Sequence, residues 1–255
     1  MSLPQRLGKI LKTDLAICLI IKDEGEYLSE WLKWHTDCGV ERFYIYDNGS
    51  RRPVSDDIPK VYLPQCEVIP FGGYHKRAQV DAYKDCLDRH RFDTEWIGFI
   101  DTDEFIRVVS GTDLRTFLSD YNDVDAIAIP WVVYNANGHI HKDLSCPVRE
   151  RFTKAVEYPR QLPQCKCIVR PRSINIMDAH GPIQTGGQIR IVNEDRVPVS
   201  TPLDNNITGD KIVVDHYFTR SYEEWVEKME RGSCDPYSYR PNSWFSYLNP
   251  DMKDV

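Results

Sequence analysis

The stretch Trp96-Ile-Gly-Phe-Ile-Asp-Thr-Asp-Glu-Phe105 runs a short apolar strand, Ile97 to Ile100, into two carboxylates one residue apart, Asp101 and Asp103. Ligands of open α/β sheets bind beyond the carboxyl ends of the strands, so acids placed there point toward a site. An Asp-x-Asp pair suits Mg²⁺ or Mn²⁺, which takes one or two carboxylates and fills its other positions with water and phosphate oxygens. An acidic strand-to-loop junction reads the same way, because Asp is common in turns. Two earlier apolar runs also end in polar groups, at Lys22-Asp23-Glu24 and at Asp47-Asn48. Together the tips fit a nucleoside diphosphate. A carboxylate at one accepts from a ribose hydroxyl or base imide, and a metal at the next neutralises the diphosphate.

These tips need elements to hold them. Leu15–Ile21 is continuously apolar, as in a strand buried on both faces of a parallel sheet. Tyr27, Leu28, Trp31, Leu32, His35 and Cys38 recur at helical spacing, and Gly39 stands where a C-terminal cap glycine belongs. With Arg42–Tyr46 as the next strand, this is a right-handed β-α-β unit. A further strand is expected around Val61–Leu63 or Cys66–Ile69. Helices are expected over His75–His90 and Asp113–Leu118, and a strand over Asp125–Pro130. From 131 to 215 the pattern loosens into short strands and turns. Ser221-Tyr-Glu-Glu224 then opens a helix with a capping box, closed by Gly232. Trp31 and Trp34 read as packing residues rather than sugar platforms. Lys76 and Arg77 are either phosphate contacts or a solvated helix end.

The 255 residues, 41% hydrophobic and 28% charged, can bury a real core and are read as one domain, 1–255. A formal net charge of −7 argues against a broad nucleic-acid surface. No apolar run is long enough to span a bilayer. The opening Met-Ser-Leu-Pro-Gln-Arg lacks the apolar core of a secretory signal, so a soluble, cytoplasmic protein is expected. The 8 cysteines include no C-x-x-C pair and read as reduced thiols. A zinc site from His139, His141, Cys146, Cys165 and Cys167 is the alternative, although its spacing matches no common structural pattern.

Longer motifs carry a resemblance. Lys22-Asp-Glu-Gly-Glu-Tyr-Leu-x-Glu-Trp31, His35, Gly39-Val-x-x-Phe-Tyr-Ile-Tyr-Asp-Asn-Gly-Ser50 and the Asp-x-Asp strand resemble glycosyltransferase family 92 and its family 2-like bacterial relatives. So do Gln79 and Tyr83, Trp131, Asn137-Gly138, Glu150-Arg-Phe152, Lys166, Val169-Arg-Pro171 and His180-Gly-Pro182. The closing motif is Asp215-His-Tyr-Phe-Thr-Arg-Ser-x-Glu-Glu-Trp225 with Lys228 and Gly232. The likeness spans roughly residues 15 to 232. Departures are Asp23, where relatives often have Asn, and Tyr134-Asn135, where they usually have Phe-Gly.

The resemblance implies an α/β fold of the GT-A type, Rossmann-like, with a mostly parallel central sheet flanked by helices. Its nucleotide-sugar half would cover about 13–110 and its acceptor half about 111–235. It implies metal-dependent, inverting transfer of a sugar from a UDP- or GDP-sugar to a glycan or glycolipid hydroxyl, with Mn²⁺ or Mg²⁺. Peripheral membrane association is open to such an enzyme. Asp103 would ligate the metal, while Asp101 would reach it through water or hold the ribose. His216 would be a further ligand, its imidazole oriented by Asp215; a core histidine between Tyr217 and Phe218 is the alternative. Asp47 and Asn48 would meet the base or ribose, with Lys22, Glu24 and Gln79 completing the donor pocket.

Inversion also requires a general base for the acceptor hydroxyl. Glu150 and Asp178 are the candidates; an ion pair of Glu150 with its flanking arginines and a turn position for Asp178 are the alternatives. Two other classes stay open. One is a non-catalytic nucleotide- or glycan-binding relative. The other is a phosphohydrolase of the haloacid dehalogenase type, although that fold places its Asp-x-Asp near the start of the domain.

Overall fold

The computed structural model describes residues 13–72, 77–156, 164–183, 188–200, 206–233 and 243–252. Its strands are β1 (Thr13–Ile21), β2 (Arg42–Asp47), β3 (Cys66–Pro70), β4 (Thr94–Phe99), β5 (Glu104–Val108), β6 (Ala126–Val133), β7 (Cys165–Val169), β8 (Ile191–Val192) and β9 (Ile212–His216). Its helices are α1 (Leu28–Asp37), α2 (Ala78–His90), α3 (Leu114–Leu118), α4 (Val148–Arg151), α5 (Tyr222–Arg231) and α6 (Ser243–Leu248). The strands form a sheet in the order β3-β2-β1-β4-β7-β6-β9-β5, with β8 on the side of β6. Pairing is parallel from β3 through β2 and β1 to β4, and again from β6 to β8 and β9. It is antiparallel where β7 joins β4 to β6 and where β5 joins β9. The mostly parallel α/β sheet expected from the alternating pattern is the one observed.

β1 shows why its sequence is apolar throughout. Successive strand side chains point to opposite faces. Leu15, Ile17, Leu19 and Ile21 join the core layer built with Leu28, Trp31 and Leu32 of α1. Ala16, Cys18 and Ile20 join the opposite layer, with Ala78, Ala82, Tyr83, Cys86 and Leu87 of α2. With helices on both faces, no polar alternation survives. Trp31 is fully buried and Trp34 packs against the same layer. Gly39, at φ +96, takes the left-handed position that closes α1.

Several boundaries differ from the sequence reading. The third strand is Cys66–Pro70; Val61–Leu63 falls in turns and a single 3₁₀ turn over Leu63–Gln65, where Pro64 removes a backbone donor. α2 begins at Ala78, with residues 73–76, Lys76 among them, outside the described residues; Arg77 is an exposed N-terminal residue of the helix. β4 runs Thr94–Phe99, and α3 starts at Leu114 with Asp113 as its cap, accepting from the Thr116 amide at 3.0 Å. Glu104–Val108, to which the sequence reading assigned no element, is a full strand. The capping box of α5 is present, with Ser221 accepting from the Glu224 amide and Gly232 ending the helix at φ +80.

Candidate functional site

The parallel strands β2, β1 and β4 deliver their carboxyl ends to one edge. At the first two tips the polar groups tie the loops to each other. Asp47 Oδ1 accepts from the Ser50 amide at 2.9 Å, and the Ser50 hydroxyl accepts from the Asp23 amide at 3.1 Å. Asp23 in turn accepts from the Arg51 amide at 2.8 Å, from a left-handed backbone at φ +51. Gly25 follows, and a Cβ there would lie 2.0 Å from the Asp57 carboxylate, so only glycine fits the approach. Asn48 is buried, and its Oδ1 has no hydrogen-bond partner among the described residues. Lys22 is half-buried beside these loops.

At the β4 tip the acids meet cations. Asp101 is one-third exposed; its Oδ1 accepts from Gln79 Nε2 at 3.0 Å and its Oδ2 from Lys166 Nζ at 2.9 Å. Lys166 projects from β7 and is almost wholly buried, with its ammonium also 3.4 Å from Glu104. Burial works against that charge, yet Asp101 and Glu104 raise the Lys166 pKa well above normal. Glu104 is completely buried and accepts from the Asp101 amide at 2.8 Å. Desolvation pushes its carboxyl up to about 8, against the opposing pull of Lys166.

Asp103 is buried on the other side of the motif. Its backbone carbonyl accepts from the Tyr217 amide at 2.9 Å, and β5 pairs with β9 so that Glu104 stands opposite His216. That register carries a distant histidine to the acids. His216 Nε2 lies 3.5 Å from Asp103 Oδ2, and Lys228 of α5 donates to the same oxygen. Burial alone would raise the Asp103 pKa; Lys228 and His216 hold it well below the carboxylate range. Burial lowers the His216 pKa against the opposing pull of Asp103, which favours the neutral ring.

Glu24 lies beneath this group. It accepts from Thr102 at 2.8 Å and from Arg220 and Arg231 at 3.1 Å each, and those two arginines hold its pKa down against burial. Arg220 stacks 3.6 Å over the Tyr27 ring from a left-handed backbone at φ +52. Arg151 of α4 pairs with Glu224 of α5 at 2.9 Å, both side chains 2% exposed. The segment from β9 through α5 is thus clasped to the strand tips by buried ion pairs.

Two sequence expectations change here. Asp215 does not orient His216. Neighbours in a strand face opposite ways, and Asp215 takes a bidentate pair from Arg107 at 2.6 and 2.8 Å and accepts from Tyr134 at 3.2 Å. His216 Nδ1 is buried without a partner among the described residues. Glu150 pairs with neither neighbouring arginine: Arg149 lies over the Trp34 ring and Arg151 belongs to Glu224. Glu150 itself is exposed on α4, 4.0 Å from the Cys146 thiol. Asp178 occupies a turn, its Oδ1 accepting from the Ala179 amide at 2.8 Å. That turn carries His180, whose ring lies 5.2 Å from Trp131; Trp131 in turn lies 4.3 Å from His216.

The metal donor set is therefore small. Asp103 and His216 converge, whereas Asp101 turns toward Lys166 and Gln79. Among the described residues no group of three His, Cys, Asp or Glu side chains forms a metal cage. A carboxylate and a neutral imidazole 3.5 Å apart fit two neighbouring positions on Mn²⁺, with phosphate and water left to supply the rest. The seven cysteines within the described residues are free, and Cys234 lies outside them. The residues that sequence reasoning left without a role are Glu104, Lys166, Arg220, Lys228 and Arg231. The available signal was charge balance, because buried acids require paired cations.

The family model for glycosyltransferase family 92 matches residues 14–238. A family 92 protein of Ricinus communis is 25% identical over 224 residues, covering 86% of this chain and 38% of that protein. A family 92 protein of Oryza sativa subsp. japonica is 28% identical over 108 residues, covering 42% of this chain and 18% of its own length. A galactan β-1,4-galactosyltransferase of Arabidopsis thaliana is 26% identical over 115 residues, covering 40% and 21%. The chain thus spans well under half the length of these curated relatives. Among solved structures, Staphylococcus aureus TarS 1-349 in complex with UDP has a TM-score of 0.41 at 14% identity, covering 62% of this chain and 47% of that one. HddC of Yersinia pseudotuberculosis complexed with GMP-PN has a TM-score of 0.44 at 11% identity, covering 86% and 99%.

Proposed function

The chain belongs to glycosyltransferase family 92, and from that premise we propose that it transfers a sugar from a UDP- or GDP-sugar to a hydroxyl of a glycan or glycolipid, with inversion and with Mn²⁺ or Mg²⁺. The observation that carries this reading is the meeting of Asp103 and His216 at the edge where β4, β1 and β2 end.

In this reading Asp103 and His216 would hold the cation, with Asp101 beside them, and the cation would supply charge neutralisation for the leaving diphosphate. The protein's own cations assist. Lys228, now on Asp103, and Lys166, now on Asp101, stand where phosphate oxygens would compete for them. Gln79 fixes the Asp101 carboxylate from α2. Asp47, with Asn48 and Lys22, receives the nucleoside, and the unsatisfied Asn48 Oδ1 is an acceptor awaiting a donor. Glu24 acts here by holding Arg220 and Arg231 in place.

Calorimetry of UDP and GDP with and without Mn²⁺, beside a nucleotide-sugar panel scored by released diphosphate, tests this reading. Metal-dependent binding is expected in the native chain and should vanish in Asp103→Ala while the fold persists. Equal metal-dependent affinity in that variant would remove the assignment.

A further inference from the structure

We propose that His180 is the general base that takes the proton from the acceptor hydroxyl. This rests on the transferase reading above and assigns to His180 the role that the sequence offered to Glu150 or Asp178.

The argument begins with the tautomer. His180 Nδ1 lies 3.1 Å from the carbonyl oxygen of Cys165. A carbonyl only accepts, so Nδ1 carries the hydrogen and Nε2 carries the lone pair. The ring is half-buried, and Nε2 has no partner among the described residues. Its position is fixed by a tight turn: Asp178 N donates to Gly181 O at 2.8 Å, Ile183 N donates to Ile176 O at 3.0 Å, and Met177 bridges Pro182. Cys165 is the first residue of β7 and the neighbour of Lys166, which grips Asp101. The base is thereby tied through one strand to the acids of the β4 tip.

Trp131 sets the spacing. Its ring stands edge-on to His180 at 5.2 Å and tilted to His216 at 4.3 Å, so one indole packs against both the base and the metal ligand. The half-buried Trp131 beside both groups is the apolar surface against which a sugar ring would pack. The charged groups around His180 are Lys166 on β7, Asp101 at the β4 tip and Asp178 on its own turn. Burial and the Lys166 ammonium lower its pKa, against the opposing acids, so the imidazole is neutral at physiological pH.

The step balances. The acceptor oxygen forms a bond to the anomeric carbon while its proton passes to His180 Nε2. The bond from that carbon to the donor phosphate oxygen breaks, and its electron pair leaves on the nucleoside diphosphate. The imidazolium then returns its proton to solvent.

His180→Asn tests the proposal, because the asparagine amide can still donate toward the Cys165 carbonyl but has no Nε2. With Mn²⁺ and the nucleotide-sugar panel, kcat should fall by about 100-fold or more, the range of a lost general base. UDP or GDP affinity by calorimetry should stay within about twofold, and the acidic limb of the kcat pH profile should disappear. Diethylpyrocarbonate at neutral pH should label His180 and spare buried His35, as mapped by mass spectrometry. An unlabelled His180 would overturn the idea. So would full turnover in His180→Asn beside an active native chain, or a collapse of turnover in Asp178→Asn alone, and in both cases the transferase reading would stand. A native chain that neither binds diphosphate nor consumes any donor would overturn that reading and this base together.

Discussion

Two regions bring acids to the same edge and satisfy them differently. At the tips of β1 and β2, Asp23 and Asp47 accept mainly from backbone amides a few residues away or in the adjoining loop. At the tip of β4, Asp101, Asp103 and Glu104 meet Lys166 and Lys228, side chains from β7 and α5, remote in sequence. The first arrangement is local turn chemistry, which leaves the loops shaped but only lightly charged-paired. The second is a buried charge lattice that exists only when the C-terminal half is docked. Breaking a local cap should therefore cost little, whereas breaking a buried pair that docks the C-terminal half, such as Arg151–Glu224, should loosen that segment.

The largest effect is expected at Glu224. Its side chain is 2% exposed and accepts from Arg151, Ser221 and Tyr27. Glu224→Ala should cost about 3–5 kcal/mol in chemical denaturation, the range for stripping one partner from a buried pair. Although burial raises its pKa, Arg151, Ser221 and Tyr27 lower it to about 2. A depressed carboxylate contributes stability that is present above its ordinary value near 4.5 and is lost as pH falls toward 2. The native chain should show that acid loss, and Glu224→Gln should lack it. Equal pH curves would mean the clasp is not held by this pair.

Glu104 should behave in the opposite sense and more weakly, because Lys166 still faces it once it ionises. Its folded pKa of about 8 stands above the ordinary 4.5. Between those values the folded chain keeps a proton that the unfolded chain has released, so stability falls as pH rises. Thermal melts of Glu104→Gln should lose that slope between about pH 4.5 and about pH 8. A steeper slope in the variant would place the proton elsewhere in the lattice.

The smallest effect is expected at the first region. Asp47→Ala removes an acceptor for the Ser50 amide and should cost about 1 kcal/mol of stability in the same melts. A loss as large as that at Glu224 would erase the contrast between local and remote pairing.

Read by itself, the sequence determined the strand–helix alternation, the two-faced burial of β1, the capped α5 and the acids at the β1, β2 and β4 tips. Each depends on periodicity or on a residue's near neighbours, and both are visible along the chain. Only the tertiary structure decided which cations neutralise those acids, that Asp215 and Glu150 turn away, and that β5 begins inside the Asp-x-Asp-Glu run. It also brought His216 to Asp103 through the β5–β9 register and seated His180 beside Trp131. Such pairings are set by the register of strands distant in sequence, where a slip of one residue sends every side chain to the other face.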